Sequence, residues 1–137
     1  MIVADANIVA YLFIEGDQTA LAQAVLRSDP EWRLPPLWRH EVLNVLATFV
    51  RTGGASLEDA QPKWDEAVLR FSDFEKDVDP LQALALAVRY GISAYDAQYV
   101  ALAEELDVQL VTQDGPLRNA CPERAISMQA FCDPGAR

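Results

Sequence analysis

The chain has 137 residues, a length that suits one domain spanning residues 1–137 with a sizeable buried core. Hydrophobic residues make up 51% of it, but the apolar runs are too short to cross a membrane. The first residues already resemble a core strand, so no leader is expected, and a cytoplasmic protein is predicted. The formal net charge of −10 argues against sequence-independent binding of polyanions, although a local basic rim would still allow a nucleic acid to dock.

Apolar runs, helix caps and Gly/Pro breaks predict short buried strands separated by helices. The predicted strands are residues 1–4, 32–34, 108–112 and, with the weakest pattern, 125–127. The predicted helices are residues 6–13, 17–27, 36–51, 56–74, 80–90, 93–107 and 115–120. Strands that alternate with helices indicate an α/β fold, with a short parallel sheet of four to five strands and helices on both faces.

Three residue types mark the expected ends of these helices. Asp17, Ser56 and Asp79 are predicted to cap the helices that follow them, and Gly91 is predicted to close a helix in the left-handed conformation.

Cysteine and histidine are too few for several kinds of site. Cys121 and Cys132 form neither a CxxC pair nor a zinc-type cluster, and they are interpreted as reduced thiols. His40 is the single histidine and is interpreted as a surface or cap residue. A His-rich zinc site and Ser-His-Asp chemistry are therefore not expected.

Four acidic residues adjoin otherwise apolar elements. Asp5 and Asp114 follow predicted strands, whereas Asp96 lies in the first turn and Glu41 in the second turn of a predicted helix. Sites in open parallel sheets form beyond the carboxyl ends of the strands, so we expect the four side chains to converge. Ionised carboxylates near a core are costly without a cation, and an all-oxygen set favours Mg²⁺ or Mn²⁺ over zinc.

Each acid also has a purely structural interpretation. Asp5 could cap the first helix, and Asp114 could be a turn acid before Gly115. Glu41 could be a partly exposed residue of an amphipathic helix, and Asp96 could be the acidic partner of Ser93 in a capping box. The metal-ligand hypothesis is favoured because all four acids recur at junctions between elements.

Two neutral side chains, Asn7 and Thr112, lie beside these acids and could be oxygen ligands or position a water molecule. Thr112 could equally be an ordinary strand threonine. Tyr99 is interpreted as part of the apolar face of its helix, and Trp32, Trp38 and Trp64 as packing residues. The remaining acids are interpreted as solvated helix faces: Glu58, Asp59, Asp65, Glu66, Asp73, Glu75 and Asp77, with Glu104, Glu105 and Asp107.

The segments VADAN, HEVLNVLA, SAYDAQYVALAEEL and LVTQDGPL, in this order and spacing, resemble the PIN-domain ribonucleases. The resemblance is specifically to the VapC-type toxins of toxin–antitoxin pairs. It runs nearly end to end, although residues 56–91 match only in helical character. The family's three-layer fold is thereby implied. The resemblance also implies a metal-binding quartet at Asp5, Glu41, Asp96 and Asp114. It implies a hydroxyl residue near the metal at Thr112 and a position at Asn7 where Ser, Thr or Asn is common.

The same resemblance implies an Mg²⁺-dependent endoribonuclease, with Mn²⁺ as a possible substitute, that leaves 5′-phosphate and 3′-hydroxyl ends. It also implies a homodimer and an antitoxin with a basic tail. Arginine suits contacts to a phosphate backbone, so Arg39, Arg51 and Arg118 are candidate RNA contacts.

Two other functions are compatible with acids at strand ends. A PIN-like RNA-binding module without turnover is disfavoured by the complete acidic set. A phospho-acceptor receiver domain would need a lysine on a late strand, and Lys63 and Lys76 lie in the wrong part of the chain.

Overall fold

A short parallel sheet lies at the centre of the protein. The structure is a computed structural model that describes residues 1–133 and 135. Within these residues the sheet has four strands in the order β2-β1-β3-β4. The strands are β1 (Ile2–Ala4), β2 (Trp32–Arg33), β3 (Leu110–Val111) and β4 (Ala125–Ile126). The α/β fold with a parallel sheet is therefore confirmed.

Helices fill the connections between the strands, and one more helix follows β4 in the described part of the chain. They are α1 (Ala6–Phe13), α2 (Thr19–Ser28), α3 (Trp38–Arg51), α4 (Leu57–Phe71), α5 (Pro80–Tyr90), α6 (Ala94–Leu106), α7 (Gly115–Ala120) and α8 (Met128–Cys132). From β1 the chain first moves to one edge of the sheet, then crosses back towards the other. Crossovers between parallel strands are right-handed as a rule, so connections that run in opposite directions are expected to lie on opposite faces of the sheet. Helix α6 packs on β1 and β3.

Several predicted boundaries were wrong. The third helix begins at Trp38 rather than at residue 36. The second helix begins at Thr19, not Asp17, because the buried Thr19 hydroxyl accepts from the Gly16 amide at 3.0 Å and donates to the Tyr11 carbonyl at 2.7 Å. The fourth helix ends at Phe71 and continues as a 3-10 turn, Ser72–Phe74. The third strand begins only at Leu110, since the Val108 amide still donates to the end of α6.

A helix near the carboxyl terminus was not predicted. Ser127 does not continue β4; its hydroxyl caps α8 by accepting from the Ala130 amide at 3.1 Å. The caps predicted at Ser56 and Asp79 are confirmed, with acceptor distances of 3.1 and 2.9 Å, and Gly91 adopts a φ of 64°.

Aromatic packing fixes α3 and α4 against the sheet. Trp32 stacks on Phe71 with ring centroids 5.5 Å apart, and Trp38 lies 6.2 Å from both Phe71 and Trp64. The packing interpretation of the tryptophans is confirmed. Glu75, by contrast, is not on a solvated face: it accepts from the Trp38 indole at 2.6 Å and pairs with Arg39, because a buried indole N–H needs an acceptor.

In the described part of the chain no helix is both long enough and apolar enough to span a bilayer.

Candidate active site

Asp5 lies at the carboxyl end of β1, next to the carboxyl end of β3. Its backbone amide donates to the Val111 carbonyl at 3.1 Å, which continues the pairing of the two strands. Its side chain is only 6% exposed, and Oδ2 accepts a hydrogen bond of 2.7 Å from the Thr112 hydroxyl. The sheet thus buries a carboxylate and supplies it with one neutral donor.

Asp114 is joined to Asp5 through Thr112. The fully buried Thr112 Oγ1 also accepts from the Asp114 backbone amide, at 3.1 Å. Asp114 in turn caps α7, with Oδ1 accepting from the Leu117 amide at 3.0 Å. Asp114 was interpreted only as a possible turn acid, but it is a helix cap, and the cap occupies Oδ1.

Glu41 and Asp96 approach from two different helices. Glu41 lies in the first turn of α3, half-buried, where its Oε1 accepts a hydrogen bond of 2.6 Å from the Tyr99 hydroxyl. Asp96 lies in the first turn of α6, and its backbone amide donates to the Ser93 hydroxyl at 3.0 Å. The predicted Ser93 cap is therefore present beside the acid.

The pKa values show that these carboxylates interact. Burial raises the pKa of Asp5, the Thr112 hydrogen bond opposes the rise, and the charges of Asp96 and Asp114 add to it. Burial also raises the pKa of Glu41, opposed by Tyr99 and reinforced by Asp5 and Asp96. Burial and then the charge of Asp114 raise the pKa of Asp96. Each of the four predicted acids thus lies within electrostatic reach of at least two of the others.

Comparison with known proteins identifies the family of this chain. Residues 2–121 match the family model described as the PIN domain. The chain belongs to the PIN-domain family. It is 30% identical over 129 residues to Ribonuclease VapC3 of Pyrobaculum aerophilum, which covers 88% of this chain and 95% of that relative. The resemblance to VapC-type PIN domains is confirmed.

A solved structure supports the same PIN fold. The crystal structure of PAE2754 from Pyrobaculum aerophilum superposes with a TM-score of 0.74 at 25% sequence identity. The match covers 98% of this chain and 96% of that one, so the fold is shared from end to end.

The acidic set of this PIN domain fits a hard divalent cation by its chemistry, since all four predicted ligands are carboxylates. Within residues 1–133 and 135, however, no three His, Cys, Asp or Glu side chains are grouped closely enough to hold an ion as they stand. The acids instead accept from local donors, as the Tyr99 hydroxyl and the Leu117 amide illustrate. The metal-binding quartet therefore stays a prediction.

The other predicted site residues differ in their surroundings. Asn7 is exposed in the first turn of α1. Arg39 pairs with Glu75 and lies 5.6 Å over the Trp38 ring, while Arg118 donates to the Thr112 carbonyl at 2.9 Å. Arg51 is exposed at the end of α3. Arg39 and Arg118 thus have partners within the protein, and their contacts to RNA stay a prediction.

Two side chains at the site were not predicted to act there, Tyr99 and Gln113. Gln113 lies between Thr112 and Asp114, and its Oε1 accepts from the Met128 amide at 2.8 Å. Its Nε2 donates to Gln18 and to Gln129, each at 3.2 Å. This one amide ties the loop after β3 to the starts of α2 and α8. No local sequence pattern indicates that a glutamine will make contacts of this kind.

Proposed function

We propose that this PIN domain is a divalent-metal-dependent endoribonuclease and the toxin of a type II toxin–antitoxin system. The observation that carries the proposal is the Asp5–Thr112–Asp114 chain of hydrogen bonds at adjacent strand ends. The charge of Asp96 also acts on Asp5, and the charges of Asp5 and Asp96 act on Glu41. The name of the relative, Ribonuclease VapC3, supports the same activity.

Asp5, Glu41, Asp96 and Asp114 would hold the cation, Mg²⁺ or Mn²⁺. When bound there, such an ion supplies a Lewis acid for a phosphodiester and makes a water molecule more acidic. Thr112 keeps the Asp5 carboxylate fixed at the sheet edge, and Tyr99 does the same for Glu41. A carboxylate of the set would accept the proton of the attacking water.

Electrostatics favours this proposal over binding without turnover. Mutually repelling acids in partly buried positions cost stability, and a module that only bound RNA would gain nothing from them near a polyanion. A receiver domain is disfavoured because Lys63 lies on α4 and donates to the Phe13 carbonyl at 2.8 Å, away from the acids.

A nuclease assay tests the metal requirement. Purified protein should cleave a labelled single-stranded RNA in Mg²⁺ or Mn²⁺ and lose at least about 100-fold of its rate in excess chelator, because the acids alone cannot neutralise a phosphodiester. Asp5→Asn, purified identically, controls for contaminating nucleases, and the exposed Asp17→Asn serves as the matched active control. Full cleavage in chelator would refute the metal-dependent mechanism.

We infer an antitoxin whose basic tail inhibits the enzyme, since an Arg or Lys could replace the cation among the four carboxylates. We expect an inhibitory partner to lose at least about tenfold in potency when its tail cations are replaced by glutamine, as the neutral tail cannot pair with buried charge. Titration of the cleavage rate with each form measures this. Equal inhibition by both forms would exclude this mode of inhibition.

We also propose a homodimer, and α5 is the surface to test. Leu81, Leu84 and Val88 are 72%, 57% and 79% exposed and recur at helical spacing along α5. An apolar stripe of this kind marks an interaction surface.

Leu84→Glu should convert the dimer into a monomer in light scattering, because a charge in an apolar interface is costly. As the control, Leu69→Glu at an 85% exposed position on α4 should leave the dimer intact. If the Leu84→Glu protein were still a dimer, the interface would lie elsewhere.

A further inference from the structure

Tyr99 is a buried polar residue on α6 that is not one of the predicted ligands. It lies three residues after Asp96 and is 1% exposed. Its hydroxyl donates to Glu41 Oε1 at 2.6 Å. That distance is typical of a hydrogen bond from a neutral hydroxyl to an ionised carboxylate, which is among the stronger kinds.

This hydrogen bond joins α3 and α6, two helices that pack mainly on other elements of the fold. Helix α3, which carries Glu41, packs mainly on α1 and α4, whereas α6 packs mainly on α5 and the sheet. A glutamate side chain has three rotatable bonds and does not keep one orientation without a partner. The Tyr99 hydroxyl therefore restricts the Glu41 carboxylate to the side of α3 that faces Asp96.

We propose that Tyr99 is a positioning residue that presents Glu41 to a divalent cation. The inference rests on the proposed function and names one of its requirements. A carboxylate has about four acceptor positions, so the hydrogen bond at Oε1 leaves the other oxygen for the ion. Outer hydrogen bonds of this kind orient metal-binding side chains and raise metal affinity.

The competing explanation is that Tyr99 only fills the core beneath α3. The two explanations differ in what the hydroxyl does, because the ring provides the packing in both. Tyr99→Phe keeps the ring and removes the hydroxyl alone. Tyr95→Phe is the matched control, since Tyr95 lies one turn earlier on α6 and is 64% exposed.

The experiment measures Mn²⁺ affinity by electron paramagnetic resonance, well below the melting temperature of each variant. We expect Tyr99→Phe to weaken Mn²⁺ binding by about 10-fold or more, as other changes to the neighbours of metal ligands do. RNA cleavage should fall by a similar factor at limiting Mg²⁺ and recover in part at saturating Mg²⁺. Tyr95→Phe should match the wild type in both measurements.

A double-mutant cycle assigns the effect to Glu41. If the hydroxyl acts through this carboxylate, Tyr99→Phe should change Mn²⁺ affinity no further once Glu41→Ala is present. An unchanged affinity in Tyr99→Phe would overturn the inference, even if the metal-free protein melted at a lower temperature, and would leave the proposed nuclease intact. Wild-type protein that bound no Mn²⁺ and cleaved no RNA would overturn both.

Discussion

Asp96→Asn should nearly abolish RNA cleavage and at the same time stabilise the metal-free protein. Asp96 is half-buried, and its pKa is raised by burial and by the charge of Asp114, so the ionised side chain is unfavourable there without a cation. Two like charges ~5 Å apart repel by roughly 3 kcal/mol at an effective dielectric of about 20, before solvent and protonation reduce the figure. A neutral side chain of the same shape should therefore raise the free energy of unfolding by about 1 kcal/mol.

The capping interpretation of Asp96 predicts the opposite on every count. An acid in the first turn of α6 favours the helix dipole, so losing its charge would lower stability slightly and leave cleavage unchanged. The Ser93 hydroxyl accepts from the backbone amide of residue 96, which Asp96→Asn retains, so the cap itself is not at issue.

Melting curves with and without Mg²⁺, beside one nuclease assay, distinguish the two interpretations. Mg²⁺ should raise the melting temperature of the wild type more than that of Asp96→Asn, because a ligand stabilises only the state that binds it. The rate of cleavage should fall at least about 100-fold in the mutant. An active mutant that responded to Mg²⁺ like the wild type would remove Asp96 from the site.

Some strand ends and helix starts of this fold could be predicted, because local chemistry decides them. The apolar run before Asp5 and the Ser93 cap each depend on a few neighbouring residues, and both are found where the sequence places them. The start of β3 at Leu110 could not be predicted. The Val108 amide is equally able to join a strand, and only the end of α6 commits it to the Ala103 carbonyl.

The acids of the candidate site are conspicuous in the sequence, but their hydrogen-bond donors are not. An acid beside an apolar run is unusual in any sequence, so Asp5 and Glu41 are conspicuous. Tyr99 is an amphipathic residue whose ring suits the core of α6, and nothing local indicates that its hydroxyl meets Glu41, 58 residues earlier. Glu75 is similar, since its pairing with Arg39 spans 36 residues and only the tertiary fold brings the two together.

Thr112→Val should impair both stability and cleavage, although valine fits the space and suits a strand. Thr112 is fully buried, and its hydroxyl both donates to Asp5 Oδ2 at 2.7 Å and accepts from the Asp114 amide at 3.1 Å. Valine leaves a buried carboxylate without this donor and an amide without this acceptor. We expect a loss of about 2–3 kcal/mol in the free energy of unfolding, because one of the two hydrogen bonds is to a charged group.

Thr112→Ser separates the hydroxyl from the methyl group. Serine keeps both hydrogen bonds and removes one buried methyl, which costs about 1 kcal/mol through the small cavity. Serine should therefore keep cleavage near the wild-type rate, whereas valine should lose at least about tenfold, since Asp5 and Asp114 are no longer held together. Urea unfolding and initial cleavage rates of the two variants measure these effects. A fully active and equally stable Thr112→Val would mean that Thr112 is an ordinary strand residue, and Asp5 would then need another donor to keep its place at the sheet edge.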